Sequence, residues 1–233
     1  MERLKPGHRW PAVCFVLAAL TACCLALLLI RVVRTREPDF AFLVWNLALA
    51  WVPFVLALGV YRGYHRQAPI AVLAILGLLW LLFLPNAPYI TTDFVHLQWS
   101  EGVPIWFDAA AVSLYAATGL LLGFASLYLI QAVAAEAVGR RTIWSMVVVV
   151  LWLSSVGIYL GRYQRLNSWD AVRHPHLIAG MVRDRLGDPF ANPTLLTVMV
   201  VFTLFLTVAY VASYVAVTVV LPRIESERSR ANR

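Results

Sequence analysis

Charge is what this chain has least of: 13% of its 233 residues are Asp, Glu, Lys or Arg, while 61% are hydrophobic. Soluble globular chains carry about a quarter charged and roughly half apolar residues, so the deficit excludes an ordinary water-facing surface. Lipid is the solvent such a composition suits. Cysteine is equally scarce. Cys14, Cys23 and Cys24 all fall in the first apolar run, which excludes a spaced disulfide or zinc framework and leaves the redox compartment unread. Leu20-Thr21-Ala22-Cys23 resembles a lipoprotein cleavage box, and the basic start through Arg9 suits a signal peptide. The chain stays apolar from Cys24 to Ile30, however, so an uncleaved first span is expected. A basic stripe with interleaved aromatics is also missing, and the net charge of +7 therefore does not indicate a nucleic-acid partner. No internal repeat is evident, which removes the usual pointer to a transporter built from inverted halves.

What remains is long and apolar. A hydrocarbon layer about 30 Å thick needs roughly 20 helical residues to cross it, and six segments qualify: Trp10–Ile30, Phe40–Val60, Pro69–Leu84, Trp106–Ala132, Thr142–Leu160 and Leu195–Leu221. Lipid satisfies no backbone groups, so all six should be helices. The expected fold is all-α, an integral membrane bundle of six transmembrane helices in one domain, 1–222, followed by a basic solvated tail, 223–233. Trp10, Tyr61, Tyr64, Tyr89, Trp99, Trp106, Tyr159 and Tyr163 cluster where apolar runs meet polar residues, as headgroup-level anchors do. Eleven Lys and Arg fall on the side of the termini and even loops against eight on the odd loops, which favours cytoplasmic termini. The lipid bilayer is thus the first partner. Between the fifth and sixth spans, Pro175 opens and Gly187 closes a stretch with Leu177, Ile178, Met181, Val182 and Leu186 at helical spacing. A short amphipathic surface helix is expected there, with Arg183 and Arg185 at headgroup level.

Polar residues that could carry function gather at the span ends. Asn46 stands seven residues before Pro53 on nearly the same face of the second span, and Pro53 leaves the Leu49 carbonyl without its helical donor. Asn46 reads as interhelical packing glue, with a permeation role as the alternative. In Pro85-Asn86-Ala87-Pro88 the prolines end the third helix, and Asn86 can bond the backbone they leave bare. Asp93 and His96 share a side if that segment is helical. They could orient a proton-transferring imidazole or contribute to a metal site, although two groups make an incomplete site; Thr92 or Asp93 as a helix cap is the plainer reading. Asp108 should cap the fourth span near water, and Gly119 with Gly123 gives a small-residue contact surface for this chain or a dimer. Arg162 and Arg165 can pair with Asp93, Asp108 or Asp170, or hold a phosphate or carboxylate. Asn167 or Ser168 would cap the next helix. His174 and His176 flank Pro175 without further ligands, so no metal is expected, and no residue pattern names a cofactor.

Taken in order, Trp45-Asn46-Leu47 with Pro53, Leu84-Pro85-Asn86-Ala87-Pro88-Tyr89 with Thr92-Asp93 and His96-Leu97, Trp106-x-Asp108, Gly119 with Gly123, and Gly161-Arg162-x-x-Arg165-x-Asn167-Ser168-Trp169-Asp170 resemble domain-of-unknown-function family 1361. The likeness covers roughly Asp39 to Leu221. It implies a bacterial polytopic protein of the cytoplasmic (inner) membrane and no particular activity. Two functions from different classes follow. One is a non-catalytic protein whose polar interfacial face binds an envelope partner, an anionic lipid headgroup or a small solute. The other is an interfacial enzyme on a lipid or lipid-linked substrate, with Asp93 and His96 as catalytic candidates and Arg162 and Arg165 holding an anion. A midplane transporter is less favoured, because no charged residue or His lies centrally in the spans.

Overall fold

The computed structural model describes residues 10–97, 102–166 and 192–220, together with Arg173, His176 and Gly180. The described residues form six helices long and apolar enough to cross a membrane. We label α1 Trp10–Thr35, α2 Phe42–His65, α3 Ile70–Phe83, α4 Asn86–Tyr89, α5 Ile105–Ala134, α6 Arg140–Tyr163 and α7 Pro193–Val215. A 3-10 helix, Ile90–His96, continues directly from the short α4, and a π-type turn, Ala216–Val220, extends α7. Of the expected surface helix, His176 and Gly180 are described and helical; Arg183, Arg185 and the apolar positions lie outside the described residues, as does 221–233.

The outside of this bundle is apolar. Phe15, Val55, Ile70, Leu78 and Val208 are each more than half exposed, a surface that water would not tolerate over such an area and that acyl chains match. Inside, α5 is the central helix, with 56% of its spanning window buried against 17% for α1. Leu17, Cys24, Leu28 and Arg31 form the buried side of α1. Cys24 Sγ lies 3.5 Å from Thr118 Oγ1 and Arg31 meets Asp108, so the two helices pack antiparallel. A smaller core of Val156, Tyr159, Leu195, Val198 and Met199 joins α6 to α7.

Two expectations need correction here. The helical path does not stop at the prolines: after Pro85 it bends and stays helical to His96. Tyr159 is not a headgroup anchor, because it is buried, with its ring stacked on Tyr163. Proline deletes amide donors but tolerates helical φ at the start of a turn, and the side chains of the bent segment bond nearby backbone carbonyls. Asn86 Nδ2 donates to Phe83 O at 2.8 Å, Thr91 Oγ1 to Pro88 O at 2.6 Å and Thr92 Oγ1 to Tyr89 O at 2.7 Å. With these bonds made, the bent segment can enter the bundle, where Ala87 and Ile90 are fully buried.

Glycines make that entry sterically possible. A Cβ on Gly119 would stand 2.5 Å from Ala87 O, and one on Gly123 would stand 3.0 Å from Ala87 Cβ. From the other side, a Cβ on Gly157 would stand 2.5 Å from Pro85 Cγ, and one on Gly161 3.1 Å from the Tyr89 ring. The small-residue surface on α5 therefore serves contact within the chain, and Gly157 with Gly161 on α6 forms a second Gly-x-x-x-Gly that meets the same wedge. Gly119→Ala and Gly157→Ala should each destabilise the purified protein by about 1–3 kcal/mol, since a backbone carbonyl or a proline ring must move. Gly77, with open space around it, should accept Ala without loss. Thermal unfolding in detergent measures this; equal melting of all three variants would refute the wedge.

Candidate functional site

The wedge ends in the residues that matter most. With three residues per turn, a 3-10 helix eclipses positions i and i+3, so Ile90, Asp93 and His96 stack along one side. Ile90 is buried against Gly119. Asp93 is 1% exposed. A carboxylate in that setting must be paired or surrender its charge, and both of its oxygens are engaged: Oδ2 accepts from Asn46 Nδ2 at 2.9 Å and Oδ1 from Arg162 NH1 at 3.4 Å. Three stretches far apart in the chain, from α2, the 3-10 helix and α6, thus meet at one carboxylate.

Arg162 also reaches His96, whose Nε2 lies 3.2 Å from both NH1 and NH2. A guanidinium only donates, so Nε2 is the acceptor and the ring carries its proton on Nδ1. The Phe42 ring meets the imidazole edge-on at 4.9 Å, holding its plane. Asp93 is closed to solvent, whereas His96 is exposed and the Arg162 side chain is 20% exposed. The guanidinium has five N–H donors, and its Nε–H and one NH2 hydrogen are not spent on these two partners. Arg165 does not join them. It sits exposed just past α6 with φ of 54°, a left-handed position where helices usually place Gly.

A second ion pair lies on the same end of the bundle, and it corrects the expected role of Asp108. Asp108 is not a water-side cap: it is 1% exposed and accepts from Arg31 Nε at 2.9 Å. Arg31 is buried too, stacks over the Phe40 ring at 4.2 Å and approaches the exposed Asp39 at 3.8 Å. Its NH1 has no hydrogen-bond partner among the described residues. Sequence reasoning passed over Arg31 because the first span was ended at Ile30. The signal was present in the spacing, since 17, 24, 28 and 31 follow one helical face and Arg31 continues the buried one.

The remaining candidates fall into two groups. The Asn86 amide and the Thr92 hydroxyl bond backbone carbonyls, so Thr92 does not cap the helix and Asp93 spends its oxygens on side chains instead. Asn167, Ser168, Asp170 and His174 lie outside the described residues. Among the described residues no three His, Cys, Asp or Glu side chains come together in a way that could hold a metal ion. The arrangement can therefore position one partly open guanidinium beside an exposed imidazole at the end of the spans, with the buried carboxylate as its fixed counter-charge.

Removing one member of a buried ion pair leaves a bare charge and costs about 3–5 kcal/mol, whereas replacing both by apolar residues of similar size is often neutral. Asp108→Asn should therefore lower the melting temperature and the accumulation of the protein sharply, and Arg31→Met with Asp108→Leu should recover most of the loss. A double variant no better than the single one, by melting in detergent, would show that the pair is not the source.

Comparison with known proteins places these motifs together. The family described as a protein of unknown function (DUF1361) matches residues 45–209, a stretch holding Asn46, Asp93, His96, Asp108 and Arg162. No curated protein and no solved structure matches this chain.

Proposed function

From this chain's place in the DUF1361 family, to which it belongs, we propose that it is a membrane protein whose polar face binds an anionic lipid headgroup, with Arg162 as the docking cation. One observation carries the reading: Arg162 is fixed from two sides by Asp93 and His96, is part exposed at the membrane end of α6, and has donors that no other described residue takes up. A positioned guanidinium with spare N–H groups matches a phosphate or carboxylate. Arg165, exposed three residues further on, adds a second cation within reach of the same headgroup. The polar face is shared by the ends of α1, the 3-10 helix and α6 and the starts of α2 and α5, all joined by the contacts of Arg31, Asn46, Asp93 and Arg162. We place the protein in a bacterial cytoplasmic membrane with both termini inside, on the loop charges and the family likeness.

Catalysis is the weaker reading. A general acid or base must reach the proton it moves, and Asp93 is closed with both oxygens occupied. His96 alone is open, and among the described residues no free carboxylate orients it. The binding reading is tested by native mass spectrometry on protein in nanodiscs of mixed phosphatidylglycerol and phosphatidylcholine. Wild type should retain the anionic lipid preferentially. Arg162→Ala should reduce that preference about tenfold, the equivalent of one charge-assisted hydrogen bond. Arg62→Ala, at the opposite end of α2, should not. Equal retention of both lipids by wild type would end the proposal.

A further inference from the structure

The 3-10 helix has another side. Turned roughly a third of a revolution from Asp93 and His96, Thr91 and Phe94 close one end of a groove of about 400 Å³ that continues between Ser113 and Ala117 of α5 and Val201 and Phe205 of α7. Its hydroxyls have no donor left for a polar ligand, because Thr91 Oγ1 donates to Pro88 O at 2.6 Å and Ser113 Oγ to Ala109 O at 2.7 Å. Phe94, Val201 and Phe205 are 41%, 55% and 44% exposed, so the groove opens sideways into the bilayer and not toward water.

Depth identifies the occupant. At 1.5 Å per residue, Ser113 and Ala117 lie about 7 and 14 Å along α5 from Asp108, and Val201 and Phe205 about 12 and 18 Å along α7 from Pro193. These levels run from below the headgroups to about the bilayer midplane, one leaflet's hydrocarbon being about 15 Å deep. A single acyl chain, which ends near the midplane, matches this length, whereas a transmembrane helix would continue past the groove's inner end. The leaflet is the one whose headgroups meet His96 and Arg162, and the same 3-10 helix forms both the polar site and the end of the groove.

We propose that the groove seats one acyl chain of the lipid whose headgroup Arg162 engages; the inference rests on the headgroup reading for the identity of the lipid, and on the groove itself for the chain. The ligand is then a two-part amphiphile recognised at both ends. The test uses the full chain reconstituted in vesicles containing phosphatidylglycerol with a photoactivatable diazirine midway along its acyl chain, and a matching phosphatidylcholine probe. After irradiation, cross-linked peptides are mapped by mass spectrometry. Label should concentrate at 113–120 and 201–205 over the equally exposed positions Leu78 and Val208. Ala117→Trp and, from the facing wall, Val201→Trp should each lower groove labelling about tenfold while melting like wild type, both positions being exposed. Label spread evenly over the spans, or unchanged in both Trp variants, would overturn the groove. Groove labelling equal for the two probes and unaffected by Arg162→Ala would uphold the groove and overturn the headgroup reading instead.

Discussion

A carboxylate withdrawn from water at the end of a membrane bundle must be matched, and the matching of Asp93 organises much of this protein. In a low-dielectric setting an unmatched charge is the most expensive group a fold can hold. Asp93 meets that constraint with an amide from α2 and a guanidinium from α6, residues 47 and 69 positions away along the chain. Neither partner can reach Asp93 unless the 3-10 helix is delivered into the bundle. Delivery depends on the wedge of Pro85 to Tyr89, which fits only because four glycines on α5 and α6 leave room for it. The prolines, the glycines and the charged residues thus form one device, although they are scattered over nearly eighty positions.

The two buried ion pairs divide the work differently. Arg31 and Asp108 are both closed, so their contact ties α1 to the start of the central helix, and the unspent NH1 of Arg31 is itself buried. Arg162 and Asp93 are unequal: the carboxylate is shut in and the guanidinium is partly open. This asymmetry separates a structural pair from a site. It is also why the acid–base reading of Asp93 and His96 loses ground, since the member of the pair that faces outward is the cation.

Much of this was legible in the residues, and the limits have physical reasons. Six spans follow from composition and length because lipid leaves the backbone no alternative. That Asn86 bonds the nearby backbone follows from its short amide beside two prolines, although its acceptor, Phe83 O, is not a carbonyl that either proline bares. The i, i+3 relation of Asp93 and His96 could be read from spacing, and Arg162 was one of the cations expected near Asp93; contacts across 69 residues leave no periodic trace that chooses Asp93 over Asp108 or Asp170, or Arg162 over Arg165. Asp108 was misplaced because an acidic residue near a helix start has a sufficient local explanation, and local spacing carries no sign of a buried arginine on another span. Arg31 was missed for the complementary reason: a charge at the end of an apolar run looks like a boundary, and only its register with Leu17, Cys24 and Leu28 shows that the buried face runs through it. Gly157 went unremarked because one small residue in a span has no meaning until its neighbour is known.

Hydrocarbon gives helices no hydrophobic reason to associate, so close packing and polar ties must hold a membrane bundle together. Here α6 and α7 share a small core of their own, and they meet the remaining helices through the main core, to which Val147, Leu151, Ile158, Leu206 and Tyr210 belong, through the hydrogen bond from Tyr210 to Gln131, and at the polar end through the wedge and Arg162. The polar site therefore sits where α6 meets the 3-10 helix and α2. Its residues serve cohesion first: Asn46 and Asp93 are consumed by it, and so is part of the guanidinium. The donors that cohesion leaves over are those of Arg162 facing outward, and a functional reading of this face has to begin from that remainder.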